Sequence, residues 1–221
     1  MRLSRTLAQF AQASFFEDIP QEIVTRFLDG CTAHDASDDQ IILQQGATPK
    51  GMALIVEGAV KVSLYGGKGD LAILHHAKPG EVIGCLEAIS GQPIIANCSA
   101  IGNVAYLWCP VDMLRRHMAE PLFQRNAMRA VWERLQRDSQ LKLIDQTYPL
   151  DRRICAYLLH LSDASDIVIQ NQSYLGVLTS SSRQSINRAL AMLRKDGLIS
   201  VERGVIRLLD RAGLQHRLGG F

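Results

Sequence analysis

Three hydrophobic rhythms divide the chain. Between residues 15 and 30, Phe15, Phe16, Ile19, Ile23, Val24, Phe27 and Leu28 are spaced as a short helical lead-in. From 31 to about 110 short apolar runs take over, among them 41–43, 53–56, 60–64, 71–75 and 104–108. Gly46, Gly51, Gly58, Gly66, Gly67, Gly69, Gly80, Gly91 and Gly102 separate them. Regular short strands with glycine turns predict a rolled antiparallel β-structure. Helical spacing returns near Asp112, breaks around Pro121, runs on to Tyr148 and Pro149, and resumes from Leu150 to Leu161.

Residues 171–209 then predict a short helix, a tight polar turn, a second helix and a small hairpin. In the second helix Ile186, Ala189, Leu190 and Leu193 recur at i, i+3, i+4 and i+7 as one buried stripe. Arg183, Gln184, Asn187 and Arg188 fall off that stripe and face outward. Such a face suits the major groove, where Arg reads guanine and Gln or Asn reads adenine. Asn171 is placed to cap the first helix and Ser181 or Ser182 the second, by accepting orphan N–H bonds. Lys195, Asp196 and Gly197 end the second helix with a cation and a glycine. Ile199, Val201, Val205 and Leu209 alternate around Gly204 as a winged hairpin.

An ordinary helical hairpin with a solvated polar face would share this pattern, so charge matters. The whole chain is nearly balanced, with 24 Lys and Arg against 22 Asp and Glu. Residues 171–221, however, hold eight basic and three acidic side chains, whereas residues 1–120 hold nine basic and thirteen acidic ones. A cationic end on an otherwise acidic chain is a footprint for phosphate backbone.

The long helix carries a second signal. Met128, Val131 and Leu135 fit an a/d alternation flanked by Arg125, Arg129, Glu133, Arg134 and Arg137, which predicts a homodimer seam. Asp138 takes the next seam slot and loosens the repeat. The competing expectation is a helix packed on its own β-roll, which Phe123 and Trp132 would also serve.

At 221 residues the chain can bury one good core or two small ones. No apolar run approaches a membrane span and no signal-peptide core precedes the lead-in, so no membrane partner and a cytoplasmic location are expected. Five scattered cysteines (Cys31, Cys85, Cys98, Cys109 and Cys155) argue against a disulfide framework and against zinc, and no metal site is expected. Ser99, Asp112 and Glu87 form no catalytic constellation with a histidine, so no enzyme is expected. The fold class is α+β: a helical lead-in (1–30), an antiparallel β-roll (31–111), a dimerisation helix (112–148) and a winged helix-turn-helix (149–221).

With these parts in order, the chain resembles the cyclic-AMP receptor protein/Fnr (Crp/Fnr) superfamily of bacterial transcription regulators over about residues 15–215. The resemblance rests on Gln45-Gly46, on the segment from Leu54 to Gly58 with Gly69, on Pro79 to Gly84, and on Ser182 to Leu190 with the following wing. It implies a cyclic-nucleotide-binding-like jelly roll, a homodimer and a palindromic double-stranded operator, with RNA polymerase as a further partner. By position, base contacts fall to Arg183, Gln184, Asn187 and Arg188, with Ser182 and Ser185 near phosphates. Ser173 and Arg203 join them as DNA-binding candidates. Many members have a glutamate at the Gln184 position. A carboxylate accepts from cytosine and an amide best reads adenine, so the half-site is expected to depart from the usual one.

The resemblance also marks an effector pocket: Gly84, Cys85, Leu86, Ile94, Ile95 and Ala96, with Ser139 from the long helix. Nucleotide-binding members hold the cyclic phosphate with a Gly-Glu pair and an Arg followed by Ser or Thr. Here Cys85 stands in the glutamate slot, and Ile94 and Ile95 replace the arginine and its neighbour. A phosphate without its guanidinium loses a charge-assisted partner, which weighs against cyclic AMP, and no cofactor is expected. An iron–sulfur sensor is not expected, because residues 1–30 hold no cysteine. A thiol switch at Cys85 or Cys98, haem ligation through His75 or His76, another small effector, and a structural dimer that no longer binds DNA stay open. For the histidines, adjacent strand residues point to opposite faces, so only one could face a cavity.

Overall fold

A computed structural model of the chain describes residues 13–67, 70–162, 166–168, 172–202 and 205–218. It divides into two compact units, Met1–Gln136 and Arg137–Phe221. The division falls inside one long helix.

The first unit begins with a 3-10 turn at Ser14–Phe16 and helix α1 (Gln21–Asp29), so the lead-in is two short pieces with Pro20 at the N-cap of the second. Strands β1 (Thr32–Ala36), β2 (Ile41–Leu43), β3 (Gly51–Tyr65), β4 (Leu71–Ala77), β5 (Val82–Ile83) and β6 (Asn97–Pro110) follow, with helix α2 (Cys85–Ser90) before β6. All pairings are antiparallel, in the order β1-β6-β3-β4, with β2 on β6 and β5 on β3. The runs 53–56 and 60–64, expected as separate strands, are one strand. Register shifts between Ile55 and Glu57 and between Glu57 and Ala59 let β3 bend at Gly58 without leaving its partner β6.

The composition of β3 reflects burial on both faces. Met52, Leu54 and Val56 enter one core cluster, while Ala53 and Ile55 enter a second inside the roll. A strand covered on both sides reads as a continuous apolar run. The same holds at the end of β4, where His75, His76 and Ala77 are all buried. The two histidines occupy opposite faces of β4, and both faces are covered there. His75 Nε2 lies 2.6 Å from Glu81 Oε2.

Helix α3 (Val111–His117) and helix α4 (Pro121–Thr147) complete the unit. Phe123 is fully buried beside Phe27 (ring centroids 5.3 Å apart), Phe15 and Phe16. Asn126 is buried among these rings, and its amide donates to Phe15 O (3.1 Å) and Glu17 O (2.8 Å). Arg125 pairs with Asp18 (2.9 Å) and Arg129 with Glu17. The amide thereby satisfies the buried Phe15 carbonyl and shares Glu17 O with Arg125 Nη2, which donates to it at 3.3 Å.

The second unit contains the C-terminal part of α4, helix α5 (Leu150–Leu161), strand β7 (Ile167–Val168), helices α6 (Gln172–Leu178) and α7 (Arg183–Lys195), strands β8 (Ile199–Glu202) and β9 (Val205–Leu208), and helix α8 (Arg211–Leu218). The hairpin gains a third strand, in the order β7-β9-β8, which sequence patterning did not reveal because β7 is only two residues long. Its inward face also differs from expectation. Ile206 and Leu208 are buried and Leu209 is exposed, since Ile199 pairs with Leu208 and Val201 with Ile206. Gly204 and Asn171, the expected turn and cap, lie outside the described residues.

Replacing Asn126 by Ala should leave the buried Phe15 carbonyl without this donor, while Glu17 O keeps Arg125, and cost about 1–3 kcal/mol, read from the urea midpoint at unchanged slope. An unchanged midpoint would show that the tie contributes nothing.

Candidate nucleic-acid interface

Helix α7 stands where it does because its apolar side is locked into a core. Ile186, Ala189, Leu190 and Leu193 are buried with Ile154, Leu158, Leu175, Ile199, Ile206 and Leu214. Truncating one of its large aliphatic side chains to Ala would cost about 2–5 kcal/mol. The opposite face is left to solvent: Arg183, Gln184, Asn187 and Arg188 are exposed. Ser182 is the N-cap, and its hydroxyl accepts from Ser185 N–H at 3.2 Å. The Ser182 and Ser185 hydroxyls also bond each other at 2.9 Å, so both serve the helix start. At the other end Gly197 adopts φ +73°, a left-handed turn that ends the helix and that glycine takes without a Cβ clash.

The turn before α7 is tight. Ser180 holds φ +50°, and Ser181 N–H donates to Gly176 O at 2.9 Å. A Cβ on Gly176 would lie 3.0 Å from Ser181 O, so the turn passes directly over that residue. Ser173 lies in α6, and Arg203 lies outside the described residues.

Charge near α7 is more selective than the sequence count implied. Arg211 is held by Asp166 (2.7 Å) and Ser162 (2.6 Å), and Arg217 by Asp196 and Asp151. Arg183, Arg188, Arg194, Lys195 and Arg207 form no ion pair among the described residues. Among the described residues α7 and β9 thus carry cations without an ion pair, whereas the arginines of α8 are spent inside the unit.

Helix α4 exposes an apolar stripe. Met128, Trp132 and Leu135 are 60%, 60% and 61% exposed, and Leu143 follows on the same side. Trp132 does not pack on the roll; Phe123 does. Val131, expected on the seam, is half-buried, and Asp138 sits about a quarter turn off the stripe. The polar interruption of the stripe therefore falls on exposed Ser139.

Residues 34–120 match the cyclic nucleotide-binding domain family, and residues 152–217 match the Crp-like helix-turn-helix domain family. The chain belongs to the Crp/Fnr superfamily. It is a transcriptional regulator of the Crp/Fnr type with a helix-turn-helix DNA-binding domain. It is 28% identical to a transcriptional regulator LdrP of Thermus thermophilus over 188 residues, 81% of this chain and 93% of LdrP. The HTH-type transcriptional regulator Cmr of Mycobacterium tuberculosis is 24% identical over 180 residues, 80% of this chain and 72% of Cmr. A Crp-family transcriptional regulator from Thermus thermophilus superposes with a TM-score of 0.70 at 25% identity, over 85% of this chain and 97% of that one. FixK2 from Bradyrhizobium japonicum shares the fold, with a TM-score of 0.75 at 18% identity, over 86% and 98% of the two chains. Among the described residues, no helix is long and apolar enough to cross a membrane, and no cluster of His, Cys, Asp or Glu could hold a metal ion.

Within this Crp/Fnr fold the nucleotide cassette is altered. Gly84 adopts φ +75° at the start of α2, and a Cβ there would meet Leu43 Cδ1 at 2.7 Å. Cys85 is buried in the cluster with α1 and α3, Ile94 and Ala96 in the cluster inside the roll, and Ile95 is exposed. Leu86 is half-buried, and Ser139 belongs to the second unit. Sequence reasoning left Glu87 out of the pocket, although it sits inside the segment that marks it. Glu87 is 5% exposed, and its carboxylate accepts from Ile95 N–H at 3.4 Å. Burial, then the charge of Glu87, pushes the Cys85 thiol up to about 12. The Cys98 thiol is pushed up to about 12 by the same two causes, against a smaller opposing pull from Arg134. At the cassette positions themselves a cyclic phosphate would find the neutral Cys85 thiol, the buried Glu87 carboxylate and two isoleucines, and no cation. The residues present do not fit that ligand.

Both thiols stay neutral at physiological pH and are poor nucleophiles. Their folded pKa exceeds the ordinary 9.0, so the stability they contribute is full below pH 9 and is lost as pH rises toward about 12. Iodoacetamide at pH 8 should therefore spare Cys85 and Cys98 until the protein unfolds, as read by mass spectrometry. Rapid native labelling at either position would refute the assignment.

Proposed function

We infer that the protein acts as a homodimer on a palindromic operator, with Arg183, Gln184, Asn187 and Arg188 reading base edges in the major groove. The observation that carries this reading is the division of α7 into a face locked in the core and a face of unpaired Arg, Gln and Asn side chains. An Arg with no internal acid partner is free to engage guanine O6 and N7, and the amides of Gln184 and Asn187 match adenine. Gln184 in place of a carboxylate directs the reading toward adenine rather than cytosine. The unpaired Arg194, Lys195 and Arg207, with Ser173 and Arg203, approach phosphates.

The exposed stripe of α4 supports dimerisation. Met128, Trp132 and Leu135 at i, i+4 and i+7 form a narrow apolar seam that a second copy would cover. Two copies would place their α7 helices about 34–36 Å apart, one turn of DNA. The β-roll senses a signal other than cyclic AMP, the protein works in the cytoplasm with RNA polymerase as a partner, and it catalyses no reaction.

Arg183→Ala should weaken binding to the duplex that wild-type protein selects from a random library by about 1–3 kcal/mol, with nonspecific binding less affected. Equal loss on cognate and random duplexes would assign Arg183 to the backbone. Trp132→Asp should place a charge in the seam and shift the protein to monomer in sedimentation velocity, with the thermal midpoint of the β-roll retained. A dimer that persists would move the interface elsewhere.

A further inference from the structure

A chain of polar contacts in the second unit serves no core and touches no candidate base-reading residue. Tyr157 O–H donates to Asp145 Oδ2 at 2.7 Å, and Arg153 Nη1 lies 4.0 Å from Asp145 Oδ1. The same guanidinium donates to Thr179 O at 3.1 Å and to Ser181 Oγ at 3.4 Å. Ser181 Oγ in turn donates to Thr179 O at 3.1 Å. Asp145 belongs to the last turn of α4, Arg153 and Tyr157 to α5, and Thr179 and Ser181 to the turn that launches α7. Between Asp145 and Arg153 the helix is broken at Tyr148 and Pro149.

We propose that Asp145, Tyr157 and Arg153 form a strut that carries the position of the α4 end to the turn before α7, with Asp145 and Arg153 as positioning residues for the reading helix. The proposal deepens the DNA-reading assignment and rests on it for its consequence.

Three observations converge on it. First, the strut bridges the break between α4 and α5, where a change of helix angle would be concentrated. A carboxylate held on one side and a turn carbonyl held on the other tie that angle to the turn. Second, the network is a poor source of stability. Arg153 is largely buried, and its Nε is buried with no hydrogen-bond partner among the described residues. An incompletely satisfied buried guanidinium gains little over an apolar side chain of similar volume. Its use here is geometric, because a planar fork fixes two acceptors at once and a lysine would not. Third, the turn it holds needs holding. Ser180 sits at φ +50°, unfavourable for a residue with a Cβ, and an unsupported turn would relax toward a commoner conformation.

The test uses the full-length protein with Asp145→Asn, Tyr157→Phe, Arg153→Met and Arg153→Lys. Amide hydrogen exchange supplies a readout that needs no DNA. Asp145→Asn and Tyr157→Phe should speed exchange at Thr179, Ser181 and Ser185 about fivefold or more, while β8 and β9 amides keep wild-type rates. In the DNA arm, Asp145→Asn and Arg153→Met should lower affinity for the library-selected duplex about tenfold, with random-duplex affinity changed less than about twofold. Arg153→Lys should not restore the wild-type ratio. Wild-type exchange at the three turn amides in Tyr157→Phe, which removes a single oxygen, would overturn the strut. So would equal losses on selected and random duplexes. A wild-type protein that selects no duplex would sink the DNA reading alone, because the exchange arm still decides whether Asp145 controls the turn.

Discussion

The second unit depends on burying one side of α7. Ile186, Ala189, Leu190 and Leu193 have a single place to go, the cluster built by α5, α6, the three-stranded sheet and α8. Once they are in it, the helix can neither rotate nor slide, and the identity of its outward face is no longer free. Arg183, Gln184, Asn187 and Arg188 are presented because the residues between them are held. Specific recognition requires that order of cause: a polar helix free to roll would offer every side chain and select no sequence.

Charge is arranged around the same constraint. Acidic side chains occupy the arginines of α8, so Arg211 and Arg217 knit the unit together, while Arg183, Arg188, Arg194 and Lys195 of α7 and Arg207 of β9 form no ion pair among the described residues. The first unit shows the complementary economy. Its cassette keeps the Gly84 turn and the α2 helix, but carries Cys85, Ile94 and Ile95 in place of charged side chains, and a buried Glu87 acts on the Cys85 and Cys98 thiols. Scaffold and chemistry have separated there, since the turn depends on backbone geometry and the ligand on charge.

Much of this was legible in order along the chain. The α7 stripe, the Ser182 cap and the Gly197 stop are local, and local rules place them. The Cys85 and Ile94 replacements were visible as soon as the cassette was located. What could not be read locally was pairing over long separations. The merging of two expected strands into β3 follows from bulges that only a facing β6 defines. The side of the wing that turns inward follows from the Ile199 and Leu208 register. Both depend on partners elsewhere in the chain.

Residue order alone set which segments can form which elements: period and punctuation act over a few residues, and their free energies are settled there. Which side of each element meets water was left to the packed fold. Packing exposed Trp132 while burying Phe123 on the same helix, and set Leu209 outside and Leu208 inside. It also joined Asn126 to Phe15 and Arg153 to Thr179 across stretches of chain that carry no shared pattern. A hydrogen bond between distant residues leaves no periodic mark, because it needs one donor and one acceptor and nothing repeated; only the folded chain can bring the two together.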